Sequence, residues 1–192
     1  MSGIIIAGKS DSGKNVLFDY LYQKEAYNGG LVYSATSQIT QEFTDHNNVY
    51  DDHETFIIAL NTLLDAQTTR AIQKKRLGKY YIVINDFIGC INVHYIKIYD
   101  KLFTQGRHLN LTVYVLTQSL SAVTPTMRAN IKCLYVTVLN DQQVDYIYTM
   151  VRGFESKKAL KSTLAKYCVN YNILVFDQAP YAPPFKVIKV KL

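Results

Sequence analysis

The sequence has no tryptophan and only three cysteines and four prolines among its 192 residues. The cysteines (Cys90, Cys133 and Cys168) are odd in number and widely spaced, and no C-x-x-C pair is present. Neither a disulfide framework nor a zinc site is therefore indicated. We expect three reduced thiols that are buried as small apolar groups.

The sequence also lacks a long apolar run. No stretch approaches the ~18 residues of a membrane-spanning helix, and the start, MSGIII, has no basic segment of the kind that opens a signal peptide. Hydrophobic residues make up 48% and charged residues 19% of the chain, a composition typical of a folded protein and not of a disordered one. There is no internal repeat or linker, so we expect a single domain over residues 1–192.

The excess of positive charge is small. Lysine and arginine number 21 against 15 acidic residues, which gives a net charge of +6. This charge is compatible with a polyanionic partner but does not establish one. A basic cluster precedes the strand at Tyr80, and we interpret it as a solvated helix end rather than a DNA contact; it consists of Arg70, Lys74, Lys75, Arg76 and Lys79.

Short apolar runs alternate with stretches of helical periodicity. Strands are predicted at residues 3–7, from Leu31, in YYIVIND, in LTVYVLTQ, in IKCLYVTVL and in two late runs. Helices are predicted after the first strand, from about His53 toward Arg70, and in three later segments. Asn28-Gly29-Gly30 is predicted to follow the end of the first helix, and TDHNNVYDD to be a polar loop. The alternation predicts an α/β fold with a mostly parallel sheet flanked by helices.

The stretch IIIAGKSDSGKNVLFDYL (residues 4–21) has the spacing of a phosphate-binding P-loop, G-x-x-x-x-G-K-[ST]. A strand precedes it and a helix follows, as the motif requires. Glycines allow several backbone N–H groups to converge on phosphate oxygens, and the lysine adds a cation beside the helix N-terminus. We predict that the whole loop binds nucleotide: Gly8, Lys9, Ser10, Asp11, Ser12, Gly13, Lys14 and Asn15.

Asn15 stands where the motif has Ser or Thr. That hydroxyl normally ligates Mg²⁺, and an amide oxygen is a bulkier substitute that needs a different rotamer. We therefore expect weaker dependence on Mg²⁺ with nucleotide binding retained.

The strand YYIVIND ends in Asn85-Asp86. In P-loop ATPases the strand beside the loop carries an acid that holds Mg²⁺ through water and a second acid that activates the attacking water. Either Asn85 takes the metal-side place and Asp86 is the catalytic acid, or Asp86 serves the metal and the base lies elsewhere.

A third constellation runs from Thr104 to Val136: GRHLN, then a strand ending in Gln118, then P-x-x-RAN. Together with the P-loop and the acidic strand, in this order, it closely resembles the genome-packaging ATPases of poxviruses and other nucleocytoplasmic large DNA viruses, members of the FtsK–HerA group. The resemblance runs from the P-loop to Asn130, and beyond about residue 140 it fades to the order of strands and helices alone. It implies a RecA-like P-loop NTPase core.

The resemblance also implies roles for individual residues. Lys14 would bind the β- and γ-phosphates, Asp86 would polarise water, and Gln118 would be the polar sensor of the γ-phosphate. Arg107 and Arg128 match two family arginines, either of which would serve as an arginine finger; we favour Arg107. Their alternative roles are to cap the preceding helix (Arg107) or to anchor a loop (Arg128). The family has Asp-Asp or Asp-Glu where this chain has Asn-Asp, which puts efficient hydrolysis in doubt.

These features predict an ATP- and Mg²⁺-dependent motor subunit that moves double-stranded DNA into a preformed capsid. The resemblance implies a homo-oligomeric ring (a hexamer or similar), a partner at the capsid vertex or portal, and a location in the virion or in the viral factory of the host cytoplasm. The alternative is a nucleotide-binding assembly subunit with little or no hydrolysis, because Asn15 and Asn85 replace both metal-side groups. A run of histidines and acids (His46, Asp51, Asp52, His53 and Glu54) is better explained by helix capping than by a metal site.

Overall fold

Eight strands form one sheet in the computed structural model, which describes residues 3–35, 48–86 and 93–190. Across the sheet the strands follow the order β3-β2-β4-β5-β1-β6-β7-β8. The first six in this order are parallel to one another, whereas β7 runs antiparallel to β6, and β8 runs antiparallel to β7. Their bounds are β1 Gly3–Ala7, β2 Gly29–Tyr33, β3 Val49–Tyr50, β4 Tyr80–Ile84, β5 Leu111–Thr117, β6 Ile131–Val136, β7 Asn172–Asp177 and β8 Lys186–Lys189.

Six α-helices connect the strands within these described ranges. They are α1 Lys14–Tyr22, α2 His53–Ile72, α3 Val93–Gln105, α4 Pro125–Ala129, α5 Val144–Met150 and α6 Lys157–Tyr167. Short 3-10 helices cover Gly106–Leu109, Leu120–Ala122 and Asp141–Gln143. The predicted α/β class with a mostly parallel sheet is confirmed.

The two faces of the sheet have separate hydrophobic cores. Successive residues of β1 alternate between them: Ile5 and Ala7 pack with the buried residues of α2 to α6, whereas Ile4 and Ile6 pack with Leu17 of α1 and its neighbours. All five residues of β1 are buried. A strand that is covered on both faces has a continuous apolar sequence, and for this reason the run GIIIA was sufficient to predict β1.

The strand order corrects one expectation about the acidic strand. From the sequence, the acids are expected on the strand that lies beside the P-loop strand. Here β5 lies between β1 and β4, so the neighbours of β1 are β5 and β6. The residues that end β5 therefore lie nearer to the P-loop than those that end β4.

One boundary differs from the sequence-based expectation. Helix α1 ends at Tyr22, before Asn28 as predicted, but β2 begins at Gly29 and not at Leu31. Close packing explains the glycine within this strand, because a Cβ on Gly30 would lie 2.4 Å from atoms of the Tyr81 ring. The glycine thus gives the neighbouring strand room for a tyrosine.

Two elements were not predicted at all. Strand β3 lies inside the stretch expected to be a polar loop, and it pairs with β2 through only two residues. Helix α4 is one short turn whose N-cap is Thr124, which accepts from the Met127 N–H. Both elements are too short to show a period in the sequence.

Helix α2 provides a test of the core. Leu60 is fully buried, while Ile58 on the same helix is 66% exposed. We expect Leu60→Ala to lower the free energy of unfolding by about 2–5 kcal/mol, because it leaves a cavity between α2 and the sheet. The matched change Ile58→Ala should alter it by less than about 0.5 kcal/mol. Urea denaturation measures both, and equal losses would contradict this packing.

Candidate nucleotide-binding site

The predicted phosphate loop joins the carboxyl end of β1 to the start of α1. Gly13 is the N-cap of α1, with a φ of 83°, and no side-chain hydrogen bond caps the helix among the described residues. The first N–H groups of a helix have no intrahelical partners and favour an anion. The helix therefore presents its amino terminus at the point where the loop ends, as a phosphate site requires.

The loop is hydrogen-bonded to a strand on each side of β1. The N–H of Gly8 donates to the carbonyl oxygen of Thr117 at the end of β5 (3.1 Å), and the N–H of Lys9 donates to the carbonyl oxygen of Val138 beyond β6 (2.8 Å). These two contacts fix the path of the backbone before it turns toward α1.

A buried threonine holds the loop from the β6 side. Thr137 is 3% exposed, and its Oγ1 donates to Ser12 Oγ at 2.7 Å. Ser12 Oγ in turn donates to the carbonyl oxygen of Lys9 at 2.8 Å. Thr137 is not among the residues predicted from the sequence, because nothing in the local pattern links it to a loop so far away in the chain.

The same contact explains why residue 8 is glycine. A Cβ at Gly8 would lie 1.7 Å from Thr137 Oγ1 and 2.4 Å from Ser12 Oγ. Such separations are impossible without moving the loop. Gly8 is therefore required by close approach to its neighbours as well as by the motif.

The Lys14 side chain is 8% exposed and folds back over the loop. Its Nζ donates to the carbonyl oxygens of Gly8 (3.2 Å) and Lys9 (2.8 Å). Burial lowers the pKa of the Lys14 ammonium, although the carboxylates of Asp86 and Asp11 oppose this effect. A phosphate group would supply the buried cation with a closer negative partner.

Asp86 and Gln118 lie at the same edge of the sheet as the phosphate loop, where the parallel strands have their carboxyl ends. In the strand register Ile84 faces Val115, and Ala7 faces Thr117. Asp86, two residues beyond Ile84, is therefore level with Thr117. It is partly buried, with a φ of 49°, whereas Gln118 is exposed. The structure thus brings these two predicted residues to the edge where the P-loop lies.

The two asparagines at the predicted metal side differ in their surroundings. Asn85 is 1% exposed, and its Nδ2 donates to Ser34 Oγ at 3.2 Å, a contact that the sequence did not suggest. Asn15 lies in the first turn of α1 and is half-buried. Two amide oxygens and the Asp86 carboxylate are hard oxygen donors, which suit Mg²⁺ when phosphate and water complete its shell. The donor set therefore fits a weakly held magnesium ion.

The two predicted arginine fingers lie far from the P-loop of their own chain. Arg107 is in the 3-10 helix before β5, and Arg128 is near the end of α4, just before β6. Both strands run from there to the P-loop edge, and the six steps of β5 span roughly 20 Å at about 3.3 Å per residue. Within one chain, neither guanidinium can reach the nucleotide.

The surroundings of the two arginines also differ. Arg107 is exposed, and its Nε donates to His108 Nε2 at 3.2 Å. Arg128 donates from Nη1 to the carbonyl oxygen of Val123 at 2.8 Å, and its guanidinium lies 5.6 Å from the centre of the Tyr146 ring. Arg128 therefore anchors its own loop, while Arg107 projects toward solvent.

Charged residues of two other clusters have partners within the chain. Asp52 caps α2 by accepting from the Thr55 N–H at 2.8 Å, and His53 Nε2 is 2.6 Å from the Tyr99 hydroxyl. Among the described residues, no group of three or more His, Cys, Asp or Glu is placed to hold a metal ion. His46 and Cys90 lie outside the described residues. In the basic cluster, Lys79 forms an ion pair with Glu25.

A family model described as "Poxvirus A32 protein" matches residues 2–177. The chain belongs to this family. The resemblance to the poxvirus packaging ATPases is thereby confirmed, and the chain is an ATP-binding P-loop ATPase. No curated protein gives a significant sequence match.

Solved structures share the fold at low sequence identity. The genome packaging NTPase B204 from Sulfolobus turreted icosahedral virus 2, in complex with ATP-gammaS, is 13% identical, with a TM-score of 0.66 over 100% of this chain and 98% of that one. The pCW3 conjugation coupling protein TcpA, with ATPgS, is 14% identical, with a TM-score of 0.72 over 98% of this chain and 59% of that one. EssC from Geobacillus thermodenitrificans is 13% identical, with a TM-score of 0.66 over 92% and 38%.

The helices of the described ranges (3–35, 48–86 and 93–190) include none that is long and apolar enough to cross a membrane.

The crowding at Gly8 leads to a test of the loop. We expect Gly8→Ala to weaken ATP binding by about tenfold or more in Kd, since the new methyl group displaces the loop from Thr137. Gly29→Ala is the matched control, because a Cβ there would lie 3.5 Å from the Tyr80 ring, in ordinary contact. Isothermal titration calorimetry measures both affinities. Equal affinity of the two variants would contradict the role of the Gly8–Thr137 contact.

Proposed function

We propose that this protein is a subunit of an ATP-driven motor that moves double-stranded DNA into a preformed viral capsid. The family supports packaging as the task. The observation that carries the proposal is the split of the predicted machinery between two edges of one sheet. Lys14, Asp86 and Gln118 lie at the P-loop edge, where the parallel strands end. Arg107 lies exposed at the opposite edge, where these strands begin.

This split favours catalysis between subunits. A subunit that presents its P-loop edge to the opposite edge of the next subunit makes a head-to-tail contact, and such contacts close into rings when the rotation allows. Arg107 of one subunit would then approach the γ-phosphate held by Lys14 of its neighbour. A guanidinium suits the charge that spreads over the transferring phosphoryl group.

The residues at the P-loop edge divide the chemical work. The Lys14 ammonium neutralises phosphate oxygens, the Asp86 carboxylate orients and polarises the attacking water, and Gln118 contacts the γ-phosphate. Mg²⁺, when bound, supplies further charge neutralisation, with Asn15, Asn85 and Asp86 as its protein ligands.

Packaging requires a grip on DNA that does not depend on sequence. Phosphate contacts by lysine and arginine provide it, at a cost in salt sensitivity. The net charge of +6 agrees with such a grip. The further partners are a capsid vertex or portal and other copies of this chain, in the virion or in the viral factory of the host cytoplasm.

The first test is ATP hydrolysis with and without double-stranded DNA. We expect DNA of any sequence to stimulate the rate, and Lys14→Ala to reduce it by on the order of 10²-fold, because a group that stabilises transition-state charge is lost. Lys24→Ala, at an exposed lysine just beyond α1, should leave the rate unchanged. Identical rates with and without DNA would argue against a DNA motor.

The second test asks whether Arg107 acts on a neighbouring subunit. Arg107→Ala should lower the rate by roughly 10³-fold or more, the typical contribution of an arginine finger. Mixing the Arg107→Ala protein with the Lys14→Ala protein should restore part of the activity. In a mixed ring, some contacts join the intact P-loop of an Arg107→Ala subunit to the intact Arg107 of a Lys14→Ala subunit. Arg70→Ala, at an exposed arginine of the basic cluster, serves as the control. A mixture as inactive as its components would rule out this role.

A second candidate function is a nucleotide-binding assembly subunit that turns ATP over slowly or not at all. The buried Asn85 favours it, because an amide replaces a carboxylate on the metal side. ATP would then stabilise the ring by binding only to the assembled form.

The double variant Asn15→Thr/Asn85→Asp separates the two functions. It restores the hydroxyl and the carboxylate, so we expect tighter Mg²⁺ binding in the presence of ATP. If the protein is a motor, the wild type already hydrolyses ATP without these two substitutions. Tight ATP binding by the wild type with no phosphate release, even with Mn²⁺ and DNA, would favour the assembly function.

A further inference from the structure

A glutamine beyond β6 holds the backbone that follows β5. The Oε1 atom of Gln143 accepts a hydrogen bond from the Leu120 N–H at 2.7 Å, although the two residues are 23 positions apart in the chain. Gln143 is half-buried and Leu120 is fully buried. A backbone N–H can only donate, so the oxygen of the Gln143 carboxamide must face it. The direction of this hydrogen bond is therefore fixed.

This contact joins the segments that follow the two neighbours of β1. The sheet has the order β5-β1-β6 at this point, so Gln143 reaches a segment two strands away, across roughly 10 Å at about 4.8 Å per strand. The same two flanks hold the phosphate loop, since Gly8 donates to Thr117 and Lys9 donates to Val138. Gln143 completes this arrangement by binding one flank to the other.

Gln118 lies within the segment that Gln143 holds. On one side of it, Thr117 Oγ1 accepts from the N–H of Ser119 and donates to the carbonyl oxygen of Ser119, both at 3.0 Å. On the other side, Leu120 is bound by Gln143. The Gln118 side chain itself is exposed. Its backbone is thus fixed at both ends, while its carboxamide is accessible to a ligand in the loop.

The residue that could cap this segment locally does not do so. Ser119 is the N-cap of the 3-10 helix Leu120–Ala122 and makes no side-chain cap hydrogen bond within the described ranges. Its Oγ lies 2.6 Å from Ser121 Oγ instead. The first N–H groups of a helix need a partner from outside the helix, and for Leu120 this partner is Gln143. Without it a buried N–H would lose its acceptor, and the segment would have to move to find another.

We propose that Gln143 is a positioning residue for Gln118. By holding Leu120, it fixes the place of the γ-phosphate sensor relative to the phosphate loop. The inference rests on the proposed function, in which Gln118 contacts the γ-phosphate. Gln143 acts through the backbone and does not touch the nucleotide, so its loss affects ligands that carry a γ-phosphate more than ligands that lack one.

The test compares the affinities for ATPγS and ADP, which differ in the γ-position and need no hydrolysis. Gln143→Met keeps the length of the side chain but removes the acceptor. We expect it to lower the preference for ATPγS over ADP by about three- to tenfold, with the Kd for ADP unchanged. Gln142→Met, at the exposed neighbouring glutamine, should leave both affinities unchanged. Isothermal titration calorimetry gives each Kd.

Two further variants at position 143 test the chemistry of the contact. Gln143→Glu retains an acceptor of the same reach and should recover most of the preference, measured at about 0.15 M salt to screen the added charge. Gln143→Asn retains the carboxamide but is one methylene shorter, so it should lose the preference as Gln143→Met does. The Kd for ADP reports in each case whether the phosphate loop is intact.

A double-variant cycle separates positioning from a general structural role. Gln118→Ala should lower the preference for ATPγS by itself. In that background Gln143→Met should cause no further loss, because it acts through Gln118. A further loss of the full size would overturn the proposal, and so would equal weakening of ADP and ATPγS by Gln143→Met.

The remaining outcomes distinguish this inference from the proposed function. A loss of preference with Gln118→Ala but not with Gln143→Met or Gln143→Asn would refute the inference alone. An unchanged preference with Gln118→Ala would refute the sensor role of Gln118, and the inference with it. A wild type that binds neither nucleotide would refute the nucleotide site and the proposed function.

Discussion

The phosphate loop depends on the pairing of β1 with a strand on each side. Gly8 is bound to β5 through Thr117 and Lys9 to the loop beyond β6 through Val138, so the backbone is fixed before it reaches the helix. The Thr137 hydroxyl then closes the space over Gly8. A loop held in this way keeps its N–H groups oriented in the absence of ligand, which reduces the ordering cost of binding. Its geometry is thus a property of the sheet as much as of the glycines.

Lys14 shows how the same arrangement creates a demand for an anion. Its ammonium is buried against two carbonyl oxygens, and removal from water is the main reason why its pKa falls. Carbonyl dipoles compensate a buried charge less well than an anion does. Phosphate oxygens placed at the amino terminus of α1 would stabilise the charged lysine and be stabilised by it. The cost of burying the lysine in the free protein therefore becomes part of the selectivity for polyphosphate.

Local patterns were sufficient to predict much of this molecule. The apolar run of β1, the stripe of Phe56, Leu60 and Leu64 in α2, and the spacing of Gly8, Gly13 and Lys14 each lie within a few turns or one strand. Thr137 could not be found in this way, because it is 125 residues from Ser12 and only the strand order brings them together. The same holds for Arg107, since its motif indicates a role but not the edge of the sheet on which it lies. Non-local pairing determines these positions, and a single sequence does not specify it.

The two asparagines on the predicted metal side bear on two affinities at once, that for Mg²⁺ and that for the nucleotide. A carboxylate near the P-loop attracts Mg²⁺ but also repels the triphosphate, and both effects are strong where solvent is excluded. With Asn85 in place of an acid, Asp86 is the one carboxylate among the three predicted metal ligands, and it also acts on Lys14. Under the proposed function, the site would give up affinity for the cation while it reduced repulsion of the nucleotide. Tight nucleotide binding and weak metal binding would then have a common cause. The rate of hydrolysis would depend on how much positive charge Arg107 of a neighbouring subunit supplies in place of a weakly held magnesium ion.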